Sequence, residues 1–117
     1  MSLTVSTELH DAVAVITVAG ELDMATAPTL LNEVGRLVDA GQTCLIFDLA
    51  GVSFCDSTGL SIFVRARNRF AATGGQVRLA APQRAVRRLL EVSGLLGVLD
   101  TYPSVAAALG SAPPPAG

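Results

Sequence analysis

The stretch TCLIFDLA at 43–50 is apolar almost without interruption, and it lies between two segments whose apolar residues recur at helical intervals. A strand of that composition has no polar face to offer water, so it must be covered on both sides. It therefore belongs inside a sheet with packed helices, and connections through helices make neighbouring strands parallel. Upstream, TAPTLLNEVGRLVDAG spaces Leu30, Leu31, Val34, Leu37 and Val38 on one helical face, with Pro28 in the first turn and Gly41 at the stop. Downstream, Leu60, Phe63, Val64, Phe70 and Ala71 share one side of a second helix, and Ser61, Arg65, Asn68, Arg69 and Ala72 the other. Arg67 falls within the apolar stripe, where its stem is expected to follow the core edge and its guanidinium to reach the surface.

The remaining segments extend the same alternation. Leu3, Val5 and Thr7 lie on one face of a strand, AVAVITVAG from Ala12 is a second strand, and His10 and Asp11 form the tight connection of a hairpin. After Gly74 and Gly75, QVRLAA reads as a strand and PQRAVRRLLEVSG as a helix opened by Pro82 and closed by Gly94. A short strand around Val98 and a helix over 104–109 complete the pattern. At 117 residues the chain has room for one core. The expectation is a single α/β domain over 1–109, with a mixed, mostly parallel sheet of four to five strands opened by a hairpin, and about four helices. Residues 110–117, GSAPPPAG, have nothing to bury and are expected to be a disordered tail. Loops after successive parallel strands leave the sheet at one end, so GELD at 20–23 and CDSTG at 55–59 should be neighbours.

Several chemistries are disfavoured. Ten acids, eight arginines and no lysine give a net charge of −2, with no basic excess to neutralise a nucleic-acid backbone. The apolar runs break well before 18 residues, and Glu8, His10 and Asp11 stand where a signal peptide would be apolar, so a cytoplasmic protein without membrane insertion is expected. Cys44 and Cys55 lack metal-binding spacing and are read as reduced thiols, Cys44 buried and Cys55 partly exposed. A serine nucleophile needs a base, and the only histidine, His10, sits in the hairpin connection. Serine–lysine catalysis and the phosphate-binding P-loop both require lysine. Asp56-Ser57-Thr58-Gly59 has one residue too many for an aspartic protease loop, and a carboxylate dyad would need a second chain. The chain is thus expected to be no enzyme, with no metal and no cofactor of its own.

The hydroxyl cluster has a modest structural reading, in which Asp56 or Ser57 caps the helix that follows, a contribution of about 1 kcal/mol. One capping residue suffices, yet three polar residues stand in a row beside a second acidic loop. A phosphate on Ser57 would add about −1.5 to −2 charges where free amides and the helix dipole favour an anion. The fold should tolerate it. A docked partner would face a dianion added to the charges of Glu21, Asp23 and Asp56. Such a site responds to modification without doing chemistry itself.

These residues resemble the bacterial anti-sigma-factor antagonists, the small single-domain members of the STAS group. The resemblance runs through the opening hairpin, GELDMATAP at 20–28, FDLAGVSFCDSTGL at 47–60, the glycine pair at 74–75 and SGL at 93–95, with DSTGL after VSF its most specific part. It implies a chain that, unmodified, captures an anti-sigma factor which is also a serine kinase, frees a sigma factor, and is switched off by phosphorylation and reactivated by a phosphatase. ATP and magnesium would belong to the kinase. The resemblance places the phosphoacceptor at Ser57, with Thr58 as secondary candidate, and the partner surface at Glu21, Asp23, Asp56, Ser57, Thr58, Gly59 and Ser61. For Asp23 the alternative is a local turn cap. Ser61 departs from the glycine often found there and Cys55 from a bulky apolar residue, which bears on partner identity. A monomer is expected when the chain is free. The competing reading is a STAS accessory subunit docked on a membrane transporter ATPase.

Overall fold

The computed structural model describes residues 2–110; the disordered tail expected over 110–117 lies almost wholly outside the described residues. Strand β1 (Leu3–His10) turns through Asp11, at φ +54°, into β2 (Val13–Leu22). Then follow α1 (Ala27–Asp39), β3 (Cys44–Cys55), α2 (Ser57–Ala71), β4 (Gln76–Ala80), α3 (Arg84–Val92), β5 (Asp100–Tyr102) and α4 (Val105–Gly110). The five strands form one sheet in chain order, with β1 antiparallel to β2 and every later pair parallel. That is the expected mixed sheet opened by a hairpin.

The strand pleat divides the core in two. Ala14, Ile16 and Val18 of β2 and Leu45, Phe47 and Leu49 of β3 meet Leu30, Val34 and Leu37 of α1, Phe63, Ala66 and Phe70 of α2, and Val86 and Leu90 of α3. Val15 and Ile46 point the other way and pack with Ala80 and Ala108 under α4. TCLIFDLA is thus covered on both faces, as its composition required. Away from α4 that second face is solvated, and Thr4, Ser6, Glu8 and Thr17 are exposed.

Four details differ from the sequence reading. In α2 the buried set is Gly59, Leu60, Ile62, Phe63, Ala66 and Phe70, while Val64 is half-buried and Ala71 exposed. The stripe is wider because α2 packs against α1 as well as the sheet. Arg67 then lies at its edge and is exposed, as expected of a long stem. The last strand is Asp100–Tyr102, and Val98 is exposed in the turn before it, because Val98 N donates to Leu95 O in a helical turn. Helix α3 starts at Arg84, two residues after Pro82, since Gln83 at φ −64° and ψ 159° is extended and serves as the N-cap position. Cys55 is buried, as described below.

Two polar contacts tie elements together. Arg78 of β4 is 2% exposed; its Nη1 donates to Ala108 O at 2.6 Å, and its guanidinium stands 5.6 Å from the Tyr102 ring centroid. On the other side of the sheet, Glu33 of α1 accepts from Arg36 Nε at 2.8 Å and Nη2 at 2.7 Å and from the Thr7 hydroxyl of β1. The hydrogen bonds from Arg36 chiefly hold the Glu33 carboxyl below its ordinary range; partial burial opposes this, and the Thr7 bond and the Arg36 charge assist. A carboxyl whose pKa falls on folding contributes stability above its unfolded pKa and loses it as pH drops through the folded value. Glu33→Gln is therefore expected to flatten the fall in stability below about pH 4.5 and to leave the curve's shape near neutrality unchanged. Urea titrations of both proteins across that range would check this; parallel acid limbs would contradict it.

Candidate functional site

The site forms where β2 and β3 end. Their register runs Gly20 to Val52, Glu21 to Phe54 and Leu22 to Cys55, and Asp56 N donates to Leu22 O at 3.2 Å. GELD and CDSTG therefore share one end of the sheet, as parallel topology requires.

Helix α2 begins in the middle of the hydroxyl cluster. Asp56 is extended, at φ −105° and ψ −173°, and its Oδ1 accepts from Gly59 N at 2.9 Å. Asp56 O takes the first helical bond, from Leu60 N at 3.0 Å. The cap is thus Asp56, and Ser57 is the first helical residue, exposed to solvent. Its own amide and that of Thr58 precede any intrahelical acceptor. Thr58 is half-buried, and Ser61, exposed one turn on, donates its hydroxyl to Thr58 O at 2.6 Å.

Gly59 lets this turn sit so close to the strands. A Cβ at Gly59 would lie 2.8 Å from Leu22 O, Leu22 Cγ and Cys55 Sγ. Cys55 faces inward beneath the turn and is 8% exposed, which corrects the expectation of partial exposure. Burial, and secondarily the Asp56 charge, push its thiol up to about 12. It is a packing residue, not a nucleophile at neutral pH.

The acidic loop is equally ordered. Asp23 Oδ1 accepts from Ala25 N at 2.9 Å, Thr26 N at 3.0 Å and Thr26 Oγ1 at 3.2 Å, while Thr26 Oγ1 also donates to Glu21 O at 2.7 Å. The local role weighed for Asp23 is present: its carboxylate holds the turn that leads into α1. Glu21 is half-buried at the same rim.

Among the described residues no histidine stands near Ser57. His10 closes the far end of the hairpin beside Glu8, 3.4 Å away, and nine residue steps along β2 separate that end from Leu22, about 30 Å at the strand rise. Asp56 is occupied by its cap. Among the described residues no three His, Cys, Asp or Glu side chains gather as a metal site, and no helix is long and apolar enough to cross a membrane. What the geometry offers is an exposed hydroxyl on a rigid, capped helix start, next to amides that suit an anion and three carboxylates that make the rim negative.

The sequence reading did not single out two side chains of this rim, Met24 and Phe54, both large, apolar and exposed. Phe54 escapes a strand-pattern reading because β3 gains a residue here. Gly20 and Glu21 are adjacent, yet their partners are Val52 and Phe54.

The STAS domain family model matches residues 4–108. The anti-sigma-F factor antagonist RsfB of Mycobacterium tuberculosis is 33% identical over 96 residues, 80% of this chain and 76% of that protein. The anti-sigma-B factor antagonist of Bacillus subtilis is 30% identical over 100 residues, 86% of this chain and 91% of the other. Among solved structures, an anti-sigma factor antagonist from Mycobacterium paratuberculosis superposes with a TM-score of 0.86 at 34% identity, covering 92% of each chain.

Proposed function

This chain belongs to the STAS domain family, and from that premise we propose that it is an anti-sigma-factor antagonist whose grip on its partner is switched at Ser57. The observation that carries the reading is the exposed Ser57 hydroxyl at the first position of α2, with Asp56 as its cap and, among the described residues, no histidine beside it. A hydroxyl in that setting is a substrate for another enzyme's active site, not a nucleophile of its own. The names of the relatives at 30% identity and above favour an antagonist over a transporter subunit.

In this proposal the unmodified chain, a cytoplasmic monomer, binds an anti-sigma factor through the rim of Glu21, Asp23, Asp56, Ser57, Thr58, Gly59 and Ser61, and a sigma factor is released. The partner acts as a serine kinase, supplies ATP and magnesium, and phosphorylates Ser57, with Thr58 the secondary acceptor. The phosphate finds the Ser57 and Thr58 amides and the positive end of α2, so the domain stays folded. Binding is lost because a dianion beside three carboxylates must be desolvated or matched in the interface. A phosphatase restores the active form.

Affinity capture from the host tests the reading directly. Ser57→Ala is expected to retain the anti-sigma factor and incorporate no phosphate, and Ser57→Asp to bind at least tenfold more weakly. If both variants bind and gain phosphate as the parent does, Ser57 is not the switch.

A further inference from the structure

Among the described residues the exposed large hydrophobics are Leu9, Met24, Phe54, Val92 and Val98. The topology sorts them. Leu9 pairs with Ala14 at the hairpin end of the sheet, Val98 lines a hollow with Arg67, Gln76 and Asp100 at the start of β4 and β5, and Val92 ends α3 on that same side. Only Met24 and Phe54 stand at the Ser57 end, two residues from the paired Leu22 and Asp56 respectively.

Both are held out by specific devices. Strict alternation from the buried Val52 would turn Phe54 inward, but the extra residue in β3 between the partners of Gly20 and Glu21 breaks the pleat, so Ser53 and Phe54 both face solvent before Cys55 returns to the core. Bulges re-aim side chains in this way. Met24 sits 76% exposed inside the turn that Asp23 Oδ1 fixes through Ala25 N and Thr26 N. An unbranched thioether and an aromatic ring, presented on rigid backbone, lose little backbone freedom on binding and suit apolar hollows.

We infer that Met24 and Phe54 are the apolar anchors of the docking surface around Ser57, seated in apolar hollows of the anti-sigma factor. The inference rests on the function proposed above and adds the part of the surface that supplies affinity. Aromatic anchors in a desolvated centre dominate most interfaces, whereas rim charges chiefly steer and select. It also deepens the switch. Seating these anchors brings the partner onto Ser57 and strips its water, so a phosphate there opposes the contact that the anchors drive.

Titration calorimetry with the purified anti-sigma factor separates the two claims. Met24→Ser and Phe54→Ser are each expected to weaken binding tenfold or more, and Leu9→Ser, an apolar change at the opposite end whose exposure lies between theirs, to remain within twofold of the parent. Met24 contacts the fold least, so Met24→Ser decides the matter if Phe54→Ser lowers thermal stability. Parent-like affinity of Met24→Ser beside weakened Ser57→Asp overturns the anchors and leaves the switch standing. Parent-like affinity of Ser57→Asp overturns the switch, whatever the anchors do.

Discussion

Gly59→Ala is expected to destabilise the domain by about 2–3 kcal/mol and to displace Ser57 from its seat. Two effects compete. Alanine favours a helix over glycine by about 1 kcal/mol, so an open position would gain stability. Here the new methyl group meets Leu22 O, Leu22 Cγ and Cys55 Sγ at 2.8 Å each. None can swing aside cheaply: Leu22 O accepts the Asp56 amide, and both side chains are buried. Relief must come from lifting the first turn of α2 off the strand ends, which strains the Asp56–Gly59 cap bond as well. In a domain of about this size 1 kcal/mol moves the melting point by about 4–8 °C, so a fall of about 10 °C or more is expected. Thermal unfolding checks the stability, and, under the function proposed above, phosphate incorporation at Ser57 checks the displacement. A melting point equal to or above the parent's would show that the turn has room.

Arg78→Ala is expected to cost about 3–5 kcal/mol, from buried acceptors left without a donor together with the cavity left behind. Arg78 is 2% exposed and donates to Ala108 O, and the Gln76 amide oxygen, turned toward it, accepts from Nε at 2.9 Å and Nη2 at 3.1 Å. Without the guanidinium these acceptors lose a strong donor inside the protein. The short helix α4 holds to the sheet through Ala108 and its neighbours, so it should loosen before the rest unfolds. Tyr102, the only tyrosine, lies against Arg78 and reports the event. Its near-ultraviolet signal should vanish at urea concentrations where the far-ultraviolet spectrum is still native. Arg78→Met fills much of the same space without a buried charge and should retain more stability than Arg78→Ala. Equal losses in the two variants would assign the effect to the lost hydrogen bonds alone, since methionine fills the cavity and restores none of them.

The contrast between these positions shows what pattern can and cannot carry. The apolar stripe of α1 was legible because Leu30, Val34 and Leu37 recur at the helical period and are the buried positions. The stripe of α2 was only partly legible: a helix wedged against α1 and the sheet buries Ile62 and Ala66 as well, and period alone does not say how many neighbours a helix has. The site divided likewise. DSTGL announced a polar cap at the start of α2, but whether Asp56 or Ser57 was the cap depended on the extended backbone of Asp56 after β3. Cys55 was expected to be partly exposed because it borders the polar DSTG cluster, but the first turn of α2 folds over it, with Gly59 against its Sγ.

By itself the sequence determined the order of the elements, the covered strand at its centre, and the meeting of the GELD and CDSTG loops. Periodicity and residue chemistry are local, and parallel topology does the rest. Tertiary structure alone decided that Gly59 must lack a side chain, that Cys55 is sealed, that Arg78 is a buried clasp, and that Met24 and Phe54 face out beside Ser57. Each depends on which atoms of distant segments come within a few ångströms, and no spacing along the chain encodes that.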